Sequence, residues 1–155
     1  MKWIAALLFA LVFPKGDLAY AMGSSPGSEG SLLLPSFKGT RLVVYYFHGT
    51  YRCPACKSVE RQSKEAVEGD FAEEIKEGEV VYLSVNTEEP ENRHFVNDYK
   101  LYFKSLVLSL QKDGKEVKWK NLAEVWTHVR SPDKYREYVR TEMTEMLKEV
   151  KRGKR

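Results

Sequence analysis

Cysteine is scarce in this chain. Of 155 residues only Cys53 and Cys56 are cysteine, and both belong to one C-x-x-C. No bridge can staple distant segments, so a disulfide framework of the kind that supports small secreted domains is excluded. Histidine is scarce too: His48, His94 and His128 do not fall at finger-like spacing from the cysteines, and a closed four-ligand zinc site is not expected. On these patterns His94 and His128 read as surface or boundary residues. Net charge is only +3, with no basic stripe interleaved with aromatics, which argues against a nucleic-acid partner. The chain lacks G-x-G-x-x-G, a P-loop, H-E-x-x-H, an EF-hand loop and a recognisable Ser-His-Asp context. No nicotinamide, flavin or other cofactor is therefore expected. Apolar runs are short as well: Trp3 to Phe13 would make a helix of roughly 16 Å against a hydrocarbon core of about 30 Å, so no stable membrane span is expected.

What is present reads as one globular domain, 43% apolar and 30% charged, behind a leader. Lys2, the apolar run and Ala19-Tyr20-Ala21 reproduce the three regions of a secretory signal peptide. The expected organisation is a cleaved signal peptide over 1–21, a flexible Gly/Ser-rich lead-in over 22–38, the domain over 39–151 and a basic tail over 152–155. Within the lead-in, Leu32 to Leu34 ahead of Pro35 suggest a short packing segment or an edge strand. Export to a periplasmic or extracellular space follows from the leader.

Arg41 to Phe47 is continuously apolar after its first residue, as in a strand covered on both faces. A helix is expected from Pro54 to about Glu68, with Cys56, Val59, Ser63, Ala66 and Val67 on one side and Gly69 as its stop. Asp70 with Glu73 suggests a capping box for a short second helix ended by Gly78, and Glu79 to Asn86 a second buried strand. Glu91 to Tyr99 looks helical, burying Phe95, Val96 and Tyr99. Ser105 to Leu110 is a third strand, and Asp113-Gly114 a hairpin turn into Lys115 to Lys120, where Val117 and Trp119 would face inward. Asn121 is placed to cap a helix carrying Leu122, Val125, Trp126 and Val129. Ser131-Pro132 opens a last helix whose Tyr135, Tyr138, Val139, Met143, Met146, Leu147 and Val150 share one stripe. The order β-α-β-α-β-β-α predicts a mixed sheet of two parallel crossovers and an antiparallel hairpin, with helices on both faces.

The chemistry-bearing stretch is Val43 to Lys57, in which a strand delivers both cysteines to the first turn of a helix. Free N–H groups and the positive end of the helix dipole favour a thiolate there. Cys53 should lie at the exposed N-cap and Cys56 face inward, with Pro54 at the first helical position, where its missing N–H costs nothing. Arg52 adds positive charge beside Cys53. His48 is a candidate proton shuttle or a polar strand end. Tyr51 is a candidate for the substrate surface, and Lys57 either modulates the dithiol or is a helix-surface cation.

The element order, with C-x-x-C at the junction of the first long strand and its helix, resembles the thioredoxin-like superfamily from about Arg41 to Val150. More narrowly, YYFHGTYRCPAC with KSLVLSLQKDGKEVKWKNLAEVW is similar to small exported bacterial thioredoxin-like proteins of arsenic-resistance clusters, labelled nitrophenyl compound nitroreductase subunit. The resemblance implies an α/β three-layer sandwich. It also implies thiol–disulfide exchange with protein thiols and disulfides, Cys53 as nucleophile and Cys56 as resolving thiol, supplied with electrons by a membrane redox partner. Three positions depart from the pattern. Arg52 stands where thioredoxins usually have Trp, Tyr46 where they have a buried Asp, and Ser105 or Lys104 where they have a cis-proline that presents backbone to substrate. Either redox direction is compatible with the motif, since a more stabilised thiolate makes a stronger oxidant. Two other readings remain open: a dithiol module for Cu(I) or arsenite, and a redox-inert adaptor.

Overall fold

The computed structural model describes residues 37–152. The expected signal peptide, nearly all of the expected lead-in and the last residues of the basic tail lie outside the described residues.

The strand expected around Val43 runs from Thr40 to His48 (β1) and is buried over almost its whole length. It occupies the interior of a four-stranded sheet, between β2 (Val80–Asn86) and β3 (Ser105–Lys112), with β4 (Lys115–Asn121) beyond β3. Burial on both faces is why its sequence lacks the polar alternation of a half-exposed strand. Leu42, Val44 and Tyr46 face one layer, where they pack with Val59 and Val67 of α1 (Pro54–Asp70) and with Tyr135, Val139 and Met143 of α5 (Pro132–Arg152). Val43, Tyr45 and Phe47 face the other, against Phe95 and Tyr99 around the short helix α3 (His94–Asp98). Ring centroids in this second layer lie 5.2 to 6.0 Å apart, within the range in which aromatic pairs attract beyond their area burial. Strand order β2-β1-β3-β4, with helices on both faces, is an α/β three-layer sandwich with a mixed central sheet, consistent with the thioredoxin-like architecture expected.

Several local expectations are corrected. β1 and β2 are parallel, but β3 runs antiparallel to β1, so there is one parallel crossover and not two. The connection over 87–104 has only a 3-10 turn and the five residues of α3, about 7.5 Å of helix, and it starts β3 at the end of β1 where β2 finishes. Gly69 does not stop α1, which continues to Asp70 and is closed by Phe71. Asp70 makes no capping box for α2 (Ala72–Lys76); its carboxylate takes Arg136 of α5 in a two-pronged ion pair at 2.5 to 3.1 Å. The segment read as one helix from Glu91 is a 3-10 turn, Pro90–Asn92, followed by α3, and Val96 faces solvent. Asn121 closes β4, and the helix after it is a single turn, α4 (Val125–His128), with no side-chain cap. A register shift at Leu110/Gln111 upsets the alternation of β4: Val117 is exposed, and Trp119 is half out, edge-on to Tyr99. The Asp113-Gly114 turn forms as expected, both residues having positive φ (50° and 78°) as a two-residue hairpin requires.

Candidate redox site

β1 ends at His48, and the loop Gly49 to Arg52 carries the chain to Cys53, the N-cap of α1. Cys53 has extended backbone (φ −70°, ψ 161°), so its sulfur turns back over the first helical turn and accepts the Cys56 N–H at 3.1 Å. A serine or aspartate oxygen plays this part at an ordinary helix start. Here the acceptor is sulfur, and the same N–H and helix dipole would stabilise a Cys53 thiolate. Pro54 is the first helical residue, and the Lys57 N–H reaches the Cys53 carbonyl at 3.0 Å to start the ladder. The two sulfurs are bonded, with Cα atoms 5.0 Å apart, inside the span that a disulfide tolerates. Cys56 is 2% exposed whereas Cys53 is partly open, so only one sulfur is presented to a partner.

The floor of the site is Tyr46. Fully buried, it donates its hydroxyl to the Cys56 carbonyl at 2.8 Å and so ties the second cysteine to the central strand. Burial pushes its phenol up to about 12, so the group stays a donor throughout the neutral range. A second phenol, Tyr135 of α5, lies 2.6 Å from Ser63 Oγ and donates to the Val59 carbonyl at 3.2 Å, clamping α1 from the other side. Burial raises its pKa also. Because both groups are raised above the ordinary tyrosine value of 10.0, their contribution to stability is complete below pH 10 and is lost as pH climbs through the folded values. For Tyr46 the shift amounts to about 3 kcal/mol. The expected outcome is cooperative alkaline unfolding that begins above pH 10, and Tyr46→Phe should move its midpoint upward in a circular-dichroism titration. An unchanged midpoint would refute this.

Arg52 is anchored rather than free. Its guanidinium forms an ion pair with Glu60, one turn beyond Cys56 on α1, and sits 5.8 Å from the Tyr46 ring centroid. It also lies 3.2 to 3.3 Å from the ring nitrogens of His48. His48 is half-buried, with Nδ1 2.9 Å from the Gly49 carbonyl, and these partners select the tautomer with its proton on Nδ1 and Nε2 accepting from Arg52. Glu60 is held in turn by Ser84 Oγ of β2 at 2.7 Å. Glu88, just past β2, accepts the Thr50 N–H at 3.0 Å, which fixes the loop and holds its carboxyl below the usual range. The structure thus gathers Cys53, Cys56, Arg52, Pro54 and His48 at one end of the sheet. Lys57 lies on the exposed outer face of α1 and Tyr51 projects at 76% exposure.

Ser105 is buried at the start of β3, opposite Phe47, and its hydroxyl turns to the Phe103 carbonyl at 2.9 Å, so it offers no side chain to a substrate. The neighbouring Lys104 carbonyl is engaged by the Trp126 indole at 2.8 Å. No cis peptide bond occurs among the described residues. Instead, two aromatics not singled out above, Tyr102 and Phe103, are exposed (91% and 61%) on the rim of a cleft of about 180 Å³ that runs from His48 and Gly49 to Lys104. The signal was present in the run Tyr102-Phe103 between a helix and a strand, a place where an element would have buried them. Glu60 has no such signal, being one charge among many on its helix. Among the described residues no three His, Cys, Asp or Glu side chains converge to hold a metal, and no helix is long and apolar enough to cross a membrane.

No protein-family model matches the chain, and no curated protein does. Among solved structures it is similar to the thioredoxin of Fasciola hepatica, at 25% identity over 59% of this chain and 82% of that one, TM-score 0.36. It is also similar to the thioredoxin of Trypanosoma brucei brucei, at 20% identity over 67% and 76%, TM-score 0.40. Thioredoxin f2 of Chlamydomonas reinhardtii shows 14% identity over 63% and 85%, TM-score 0.38. The redox chemistry open to the chain lies in the two bonded sulfurs at the start of α1.

Proposed function

We propose that the protein is an exported thiol–disulfide oxidoreductase acting on protein partners, with Cys53 as nucleophile and Cys56 as resolving thiol. The observation that carries this reading is the Cys56 N–H aimed at Cys53 Sγ at the N-cap of α1, with one sulfur accessible and the other buried. In the reducing direction the Cys53 thiolate attacks one sulfur of a partner disulfide, and the partner's other sulfur leaves as a thiolate that takes up a proton. Cys56 then gives up its proton and attacks Cys53 Sγ, releasing the second partner thiolate. The partner gains two electrons and the pair ends as the disulfide. Oxidation of a partner is the same sequence reversed.

The chemistry needs no resident cofactor, so electrons enter or leave through another dithiol, and a membrane-bound redox protein of the exporting compartment is the proposed source. Tyr51, two residues before Cys53, and Tyr102 and Phe103, on the rim of the cleft that His48 lines, offer exposed apolar area to a partner. The leader-like residues 1–21 support delivery to the periplasm or the medium. Kinship with the exported proteins of arsenic-resistance clusters belongs to the same proposal, through the shared strand and C-x-x-C motif.

The test is a redox titration of the pure protein in thiol buffers of defined potential, coupled to its turnover with a disulfide-bonded protein. A two-electron transition between about −270 and −120 mV is expected, the low end marking a reductant and the high end an oxidant. A disulfide that stays closed until the protein unfolds, or a reduced form that leaves partner disulfides intact, would overturn the proposal. For export, the secreted protein should begin at Met22.

A further inference from the structure

The residues around Arg52 have an unequal distribution of partners. Its guanidinium meets Glu60 from α1 and His48 and Tyr46 from β1, while its Nε lies buried with no acceptor. Both ion-pair side chains are largely covered, at 22% and 29% exposure, so solvent screens them less than it would a surface pair. Glu60 is itself fixed by Ser84 and by the helix backbone, whose Glu60 carbonyl accepts the Tyr82 hydroxyl at 3.3 Å. Cys53 follows Arg52 directly in the chain. When the disulfide opens, its thiolate becomes an anion on the residue next to a cation that already has one carboxylate partner.

Resting on the oxidoreductase reading above, we infer that Glu60 is a positioning residue of the redox site: by holding the Arg52 guanidinium on the shelf formed by Tyr46 and His48, it sets how much of that charge serves Cys53 when the disulfide opens. Glu60 touches no reacting atom and acts through Arg52. The charged and titratable groups facing Arg52 are Tyr46 and His48 from β1 and Glu60 from α1, with Tyr82 of β2 and Glu88 of the following loop in the next ring outward. Removing the Glu60 charge leaves the guanidinium uncompensated, which favours the thiolate. A thiolate-stabilised dithiol is in turn the more oxidising one.

The experiment measures the rate of Cys53 alkylation by iodoacetamide against pH in the reduced protein, for the parent, Glu60→Gln, Arg52→Gln and the double variant. Gln retains an oxygen for Ser84, so the local fold is kept, and far-ultraviolet dichroism verifies it. In Glu60→Gln the profile should move to lower pH, with a rate at pH 6 about threefold to tenfold above the parent, and the reduction potential should rise. In Arg52→Gln the profile should move to higher pH. In the double variant the rate should stay within about twofold of Arg52→Gln alone, the non-additivity expected of residues acting as a unit. A Glu60→Gln profile that superimposes on the parent, or an effect of equal size with and without Arg52, would overturn the inference. Both results are separable from failure of the redox reading, which would show in the parent as absence of turnover with a protein disulfide.

Discussion

Cys53→Ala is expected to reduce protein disulfide exchange to the uncatalysed background, and Cys56→Ala to convert the protein into a trap that accumulates partners as mixed disulfides. The asymmetry follows from the α1 terminus. Cys53 is open and takes the Cys56 N–H, so it is the sulfur that attacks; Cys56 is 2% exposed and meets a partner only through Cys53. Without Cys53 no attack occurs. Without Cys56 attack proceeds, but the mixed disulfide waits for an outside thiol. Neither variant should unfold the domain, since closing so short a loop contributes only about 2 kcal/mol in the unfolded-chain picture. Non-reducing electrophoresis of each variant with a disulfide-bonded partner reads the difference, and a Cys53→Ala protein that retained parental turnover would refute the assignment.

Tyr46→Ala is expected to be the most damaging single change away from the sulfurs, at about 3 to 5 kcal/mol, a large part of the roughly 5 to 15 kcal/mol by which such a domain is stable. The ring is fully buried in the central strand, packed under α1 and α5, and its removal leaves a cavity that the sheet cannot close. Tyr46→Phe keeps the ring and loses only the hydrogen bond to the Cys56 carbonyl, about 1 kcal/mol. Urea denaturation midpoints compare the two. Equal losses would mean that the hydroxyl and not the ring holds the site. The alanine variant should also lose redox tuning, because the ring that supports Arg52 is gone.

The parts of the molecule legible in the sequence are those set by local physics. The continuous apolar run of β1, the Asp113-Gly114 turn and the Tyr/Met stripe of α5 each follow from one periodicity or one backbone requirement, and each formed. The placement of the sulfurs was legible too, because a C-x-x-C that follows a strand and has Pro54 as its second residue admits few geometries. What escaped depended on partners far away in the chain. Asp70 looked like a cap and instead found Arg136, and Asn121 looked like a cap and instead ended a strand. The direction of β3 is decided by where the connection over 87–104 packs: it passes across β1 and starts β3 at the end of the sheet where β2 finishes. The Arg52–Glu60 pair escaped for the same reason: on a helix with alternating charges, nothing in the spacing says which carboxylate will meet the residue before the cysteine.

The strand that feeds the cysteines is hydrogen-bonded on both sides, to β2 and to β3, while among the described residues β2 and β4 form the margins of the sheet. Margins fray first, and an interior strand opens only when the whole domain does. Heating or mild denaturant should therefore erode the periphery while the sulfur-bearing end remains assembled. Catalytic competence would then vanish abruptly at the melting point instead of fading ahead of it.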